Sequence, residues 1–171
     1  MLNRNKKDIN SYVNSNDLER YLGHLRFENP FIFRHSELAG VTGGNIEALF
    51  QGNNTHAIIL LNDNHPSGVG HYVVLRKDDP GFFTWFDCLA GEVPEDIRKL
   101  FVEPSKVMYL TEPLMGKREN LCGKYCIAFI NAGNISAPHF AELLESSRFT
   151  PDHLIANLYR LNYGDNIITE F

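Results

Sequence analysis

The sequence has few cysteines and no long apolar run. Three cysteines do not make a disulfide framework, and no second pair of Cys or His residues with zinc-ligand spacing accompanies Cys122 and Cys126. We therefore predict neither a structural metal nor a cofactor. No apolar run approaches the roughly 18 residues that a membrane span needs. Residues 1–10 include basic residues, but no apolar segment follows them. We expect a protein that is not secreted, in a reducing compartment.

Positive charge is also scarce. The chain carries 16 Lys and Arg against 21 Asp and Glu, a formal net charge of −5. A protein that coats nucleic acid usually presents a basic face, so we expect no nucleic-acid partner and no membrane partner. Arg4, Lys6 and Lys7 form a local basic group that a solvated tail explains. The 171 residues are 43% hydrophobic, which predicts a single folded domain over 1–171.

The apolar pattern predicts an α+β fold, a central and mostly antiparallel sheet flanked by helices. Alternating or continuous apolar runs predict the strands 57–61, 71–76, 82–87 and 106–110. Turn residues fill 62–70 and 77–81. Helical spacing and caps predict a helix with apolar residues from Leu18 to Leu25, short helices at 45–50 and 94–101, and C-terminal helices over 122–132, from Ser136, and over 150–161. The glycines at 40, 43 and 44 predict irregular structure before 45.

Three residues combine into a constellation that suits thiol chemistry. His71 opens one strand of the predicted hairpin and Asp87 ends the other, so the two lie at the same end. Cys122 stands at the start of an apolar helix. A cysteine nucleophile needs an imidazole to take its proton, and a carboxylate orients that imidazole. The helix dipole favours the thiolate, and the free N–H groups of Cys122 and Gly123 are candidate donors to an oxyanion.

Each of these residues also has an ordinary structural interpretation. A buried cysteine usually behaves as a small hydrophobe, which is also our expectation for Cys88 and Cys126. A histidine in a strand is usually structural, and an aspartate at a strand end usually serves the turn. Residue types and spacing therefore leave a cysteine hydrolase as one option among several.

Residues 62–131 resemble the adenovirus-protease (adenain) type of cysteine peptidase, which includes proteases of large DNA viruses, virophages and the SUMO-specific proteases. Gly70-His71-Tyr72-Val73-Val74 is similar to the family's histidine block. Trp85-Phe86-Asp87-Cys88 is similar to its acidic block, and Leu121-Cys122-Gly123-Lys124-Tyr125-Cys126 to its Cys-Gly-x-aromatic-Cys block. The order of the blocks is that of the family, and the overall look is closest to a virophage or related small DNA-virus protease.

The resemblance implies a papain-like, adenain-like fold in which Cys122 is the nucleophile, His71 the general base and then acid, and Asp87 the residue that orients His71. It implies that Tyr72 forms an aromatic wall of the substrate site. It further implies cleavage after small residues, of the Gly-Gly or Ala-Gly type, in viral capsid maturation. The expected partner is a capsid precursor, with an activating peptide left open, and the expected location is the virion and the host cytoplasm.

One departure concerns the oxyanion hole. The family places a glutamine six or seven residues before the cysteine, where this chain has Gly116 and Met115. A methionine side chain has no hydrogen-bond donor. The candidate substitutes are Asn62, Asn120 and Lys117, or the backbone N–H groups alone.

Two other functions stay open. A deubiquitinase or SUMO-type protease that acts on ubiquitin-like conjugates shares the Gly-Gly specificity. A non-catalytic pseudoprotease that binds a partner would explain the missing glutamine.

Overall fold

The protein is described by a computed structural model that covers residues 15–22, 32–52, 54–62, 70–116 and 121–161. The strands are β1 (Ile32–Arg34), β2 (His56–Leu61), β3 (His71–Asp79), β4 (Phe82–Phe86) and β5 (Lys106–Tyr109). The α-helices are α1 (Ser15–Leu22), α2 (Leu38–Thr42), α3 (Glu95–Arg98), α4 (Cys122–Asn131), α5 (Ala137–Glu145) and α6 (Pro151–Tyr159). Short 3-10 helices lie at His35–Glu37 and Ile46–Leu49. The α+β class is confirmed.

The five strands form one mixed sheet in the order β1-β2-β3-β4-β5. The β2–β3 and β3–β4 pairs are antiparallel, whereas β1–β2 and β4–β5 are parallel. The sheet is thus less antiparallel than predicted, because both outer strands join through crossover connections instead of tight turns. The hairpin turn is also shorter than predicted, since β3 continues to Asp79.

The central strands are buried on both faces, as their continuous apolar runs predict. Along β3, Tyr72 and Val74 belong to one apolar cluster, while Val73 and Leu75 belong to the other. The first cluster packs the sheet against α1, α4, α5 and α6. The second packs it against α2, α3 and the 3-10 helix Ile46–Leu49. The sheet therefore separates two helical layers, and α4 lies directly on β3.

The first cluster fixes α4 on the sheet through aromatic contacts. The Phe86 ring of β4 stacks on the Phe129 ring of α4 with centroids 4.2 Å apart, and Phe140 of α5 meets both rings edge-on. The predicted capping of the next two helices is confirmed. Ser136 accepts a hydrogen bond from the His139 N–H, and Thr150 accepts one from the His153 N–H. Phe129 packs the C-terminal half of α4 against β4 and α5.

Several sequence predictions lie outside the described residues. These are Leu25 of the first helix, most of the 62–70 turn, the basic group Arg4, Lys6 and Lys7, and the oxyanion candidates Asn120 and Lys117. Of the helices within the described ranges, none has the length and apolar character to cross a membrane.

Candidate active site

His71 and Asp87 meet at the end of the β3–β4 hairpin. His71 is the first residue of β3 and pairs with Leu61 of β2, and Asp87 follows Phe86, the last residue of β4. The His71 Nε2 lies 2.6 Å from the Asp87 Oδ1, a short hydrogen bond. The sequence-based pairing of this histidine with this carboxylate is therefore present in the structure.

The Asp87 carboxylate is held in place by its own turn. Its Oδ1 also accepts the Leu89 N–H at 2.8 Å, and its backbone carbonyl accepts the Ala90 N–H at 2.8 Å. Ala90 adopts a φ of 56°, which is uncommon for a residue other than glycine and marks a sharp turn of the backbone. At Gly91 a Cβ atom would lie 2.5 Å from the Asp87 Oδ2. The turn thus presents a buried carboxylate to His71 with little freedom to rotate.

Cys122 is the first residue of α4, and it is close enough to His71 to raise the pKa of that ring. Because Nε2 of that ring is engaged by Asp87, Nδ1 is the nitrogen left for the thiol. His71 is therefore hydrogen-bonded to a buried carboxylate and neighbours a cysteine at a helix N-terminus. All three side chains are largely buried, and His71 keeps the largest exposed fraction, at 19%.

The environment of His71 favours its charged form. Burial opposes protonation of the ring, but the hydrogen bonds with Asp87 and Cys122 and the negative charge on both partners outweigh it. Together they raise the pKa of His71 from 6.5 to about 9. A protonated His71 at neutral pH is the ion-pair partner that a reactive thiolate requires.

Among the described residues near Cys122, the backbone N–H groups of 114–116 already have partners inside the protein, whereas the first turn of α4 has N–H groups to offer. The Leu114 and Met115 N–H groups donate to the Cys88 carbonyl at 2.7 and 3.1 Å, and the Gly116 N–H donates to Asp152 at 2.9 Å. In α4, no side chain caps the helix at Leu121, and the first turn has no intrahelical acceptor for its N–H groups. The Cys122 and Gly123 N–H groups stay the candidate donors.

The remaining predicted site residues are less central. Asn62 follows Leu61, the strand partner of His71, and is exposed with a left-handed φ of 57°. Its place at the same sheet end is compatible with a role next to the histidine. Tyr72 is 8% exposed and packs in the cluster beneath α4, so its described contacts are those of a core residue.

Cys88 is closer to the site than the sequence suggested. Its sulfur lies 3.8 Å from the Met115 sulfur, and ligand atoms of His71, Asp87 and Cys88 all lie within 4.8 Å of one another. That group has the chemistry of a cation site, but Asp87 Oδ1 is already used by His71 and by the Leu89 N–H. Burial and the nearby Cys122 raise the pKa of the Cys88 and Cys126 thiols, which keeps both protonated.

A cavity of about 620 Å³ opens beside the turn that holds Asp87. Its walls include Ala90, Gly91, Tyr109 and Arg98, but neither His71 nor Cys122. It is therefore separate from His71 and Cys122.

The comparisons with known proteins do not assign the chain, since no family profile and no curated protein matches it.

Proposed function

We propose that this protein is a cysteine endopeptidase of the adenain type, with an adenain-like variant of the papain-like fold. The observation that carries the proposal is the position of His71, which is hydrogen-bonded to Asp87 at 2.6 Å and neighbours Cys122 at the start of α4. The raised pKa of His71 supports it further, because it favours a thiolate–imidazolium pair.

The proposed reaction is acyl transfer in two steps. The Cys122 thiolate attacks the scissile carbonyl, a sulfur–carbon bond forms, and the carbonyl π pair moves to the oxygen, which the Cys122 and Gly123 N–H groups stabilise. Collapse breaks the carbon–nitrogen bond as His71 gives its proton to the leaving amine. His71 then takes a proton from water, whose oxygen attacks the thioester and releases the acid and the Cys122 thiol.

The substrate assignment depends on the family resemblance. We propose cleavage after small residues, at Gly-Gly or Ala-Gly sites, in capsid precursors, with action in the virion and the host cytoplasm. Gly123 suits a substrate backbone that comes close to the nucleophile, because it presents no side chain.

A pseudoprotease is the second candidate, and one observation favours it. Every backbone N–H from Leu114 to Gly116 is committed to a partner inside the protein, so the segment in the place of the family glutamine offers no donor. Losing one oxyanion donor typically costs about 10²–10³ in rate. A chain with this loss can retain the fold and bind a partner without cleaving it.

Site-by-site labelling with iodoacetamide, read by mass spectrometry from pH 5 to 9, tests the catalytic proposal. Cys88 and Cys126 are internal controls, because both are buried thiols of raised pKa. We expect Cys122 to label selectively below pH 7 in the wild type and to lose that selectivity in His71→Ala. A fluorogenic peptide ending in Gly-Gly then separates turnover from reactivity alone.

Selective labelling without turnover of any Gly-Gly or Ala-Gly peptide, or of ubiquitin conjugates, would favour the pseudoprotease. Labelling of Cys122 that is no faster than that of Cys88 would overturn the catalytic proposal.

A further inference from the structure

Asp152 connects two segments that flank the candidate nucleophile. It lies in the first turn of α6, and its Oδ2 accepts the Gly116 N–H at 2.9 Å. Its Oδ1 accepts the Tyr125 hydroxyl at 2.7 Å. One carboxylate therefore joins α6, the 114–116 segment and α4.

Tyr125 connects Asp152 to α4, the helix that begins at Cys122. It lies in α4 three residues after Cys122, nearly one helical turn along, and its side chain is fully buried. Its hydroxyl also lies 3.4 Å from the Leu114 carbonyl. A shift or rotation of α4 that moved Cys122 would thus have to break or stretch the bond from Tyr125 to Asp152.

The hydrogen bond from Gly116 to Asp152 leads back to the segment that holds Asp87. Gly116 follows Leu114 and Met115, whose N–H groups both donate to the Cys88 carbonyl, at 2.7 and 3.1 Å. Cys88 is the residue after Asp87. A continuous series of hydrogen bonds therefore runs from the segment that holds Asp87, through Asp152, to the helix that holds Cys122.

A simpler role for Asp152 would be to stabilise the start of α6, where acidic residues are favoured by the helix dipole. The N-terminal cap of that helix is supplied by Thr150, whose Oγ1 accepts the His153 N–H at 3.3 Å. Both described hydrogen bonds of the Asp152 carboxylate instead go to Gly116 and Tyr125.

We propose that Asp152 is a positioning residue, which sets Cys122 at the distance from His71 that the ion pair needs. This inference rests on the proposed function, since it concerns the same thiol and imidazole. The described hydrogen bonds of Asp152 go to Tyr125 and Gly116, and it acts on Cys122 through them.

The test compares three variants by the pH dependence of Cys122 labelling with iodoacetamide. Asp152→Asn keeps the side-chain size, but its amide places an NH₂ group against a donor. Tyr125→Phe keeps the buried ring and removes only the hydroxyl. Glu95→Gln is the matched control, because it also removes a carboxylate from a helix first turn, at a site where the side chain is 73% exposed.

We expect Asp152→Asn and Tyr125→Phe each to slow labelling of Cys122 at pH 6 by about tenfold, because small misplacements of reacting groups have effects of this size or larger. Glu95→Gln should label like the wild type. We expect the labelling rate of Cys122 to fall only at low pH, where labelling depends on the thiolate–imidazolium pair.

Two results would overturn the inference. One is His71-dependent labelling in the wild type that both variants retain within about twofold. The other is labelling of Cys122 that both variants slow equally at every pH, because that pattern does not depend on the thiolate–imidazolium pair. Failure of the proposed function is read separately, from the wild type and His71→Ala.

Discussion

The Asp87 carboxylate occupies space that is open only because residue 91 is a glycine. The Asp87 Oδ2 occupies the space 2.5 Å from where a Gly91 Cβ would stand, and Oδ1 is committed to His71 and the Leu89 N–H. A methyl group there would have to displace the carboxylate or the turn that bears it. The glycine is therefore part of what orients His71, although it touches neither His71 nor Cys122.

We expect Gly91→Ala to weaken the Asp87–His71 hydrogen bond and to slow low-pH labelling of Cys122 by about tenfold, as small shifts in a reacting pair do. Gly40→Ala is the control, because Gly40 lies inside α2 with nothing within 4 Å of its missing Cβ. Alanine there should leave labelling unchanged and stabilise the protein by up to about 1 kcal/mol. Equal labelling rates in the two variants would disprove this role of Gly91.

At the scale of elements, α4 is held at its C-terminal end by a buried arginine. Arg76 of β3 donates through NH1 to the Gly133 and Ile135 carbonyls, at 3.1 and 2.7 Å, and through Nε to Asp78 at 2.6 Å. Its guanidinium also lies over the Phe129 ring. Arg76 thus fixes the end of α4 against the hairpin.

Arg76→Met should destabilise the protein by about 3 kcal/mol, because it leaves a carboxylate and two carbonyls without their buried donor. Arg76→Lys should recover only part of this loss, since an ammonium lacks the planar arrangement of donors. Urea unfolding measures both. If Arg76→Met unfolds at the same urea concentration as the wild type, Arg76 does not fix α4.

Elements with a strong local pattern were predictable, and those defined by tertiary pairing were not. The apolar run before Asn62 and the caps Ser136 and Thr150 gave β2, α5 and α6 within a few residues. Strand β1 was missed, because a strand of three residues shortly after Pro30 carries no periodicity, and the strand is defined by its parallel pairing with β2. The helix α2, Leu38–Thr42, was missed for a similar reason, since Gly40 interrupts so short a pattern.

At the scale of the whole molecule, the sequence was sufficient to group His71, Asp87 and Cys122 as one candidate site. It did not predict the residues that hold these three in place. The three have chemically distinctive types at the ends of predictable elements. Tyr125 and Asp152 meet across the fold, 27 residues apart in sequence, and the need for a glycine at position 91 depends on the orientation of Asp87 within its turn. A backbone N–H that meets a distant carboxylate, as at Gly116, leaves no sequence signal at all.

The charge on His71 couples the candidate site to global stability. The pKa of His71 in the folded protein is about 9, above its value of 6.5 in an unfolded chain. The folded state therefore binds the proton more tightly. The resulting stabilisation is fully present below pH 6.5 and is lost as pH rises from 6.5 to 9.

We expect His71→Ala to remove this pH dependence, which for the wild type amounts to on the order of 1–3 kcal/mol across the window. The measurement is urea unfolding of both proteins at pH 6, 7.5 and 9. Cys88 and Cys126 also destabilise the fold at alkaline pH, because burial raises their pKa, but they do so in both proteins. The difference between the two curves reports His71 together with the groups coupled to it, so parallel curves would show that the imidazolium is not stabilised by Asp87 and Cys122.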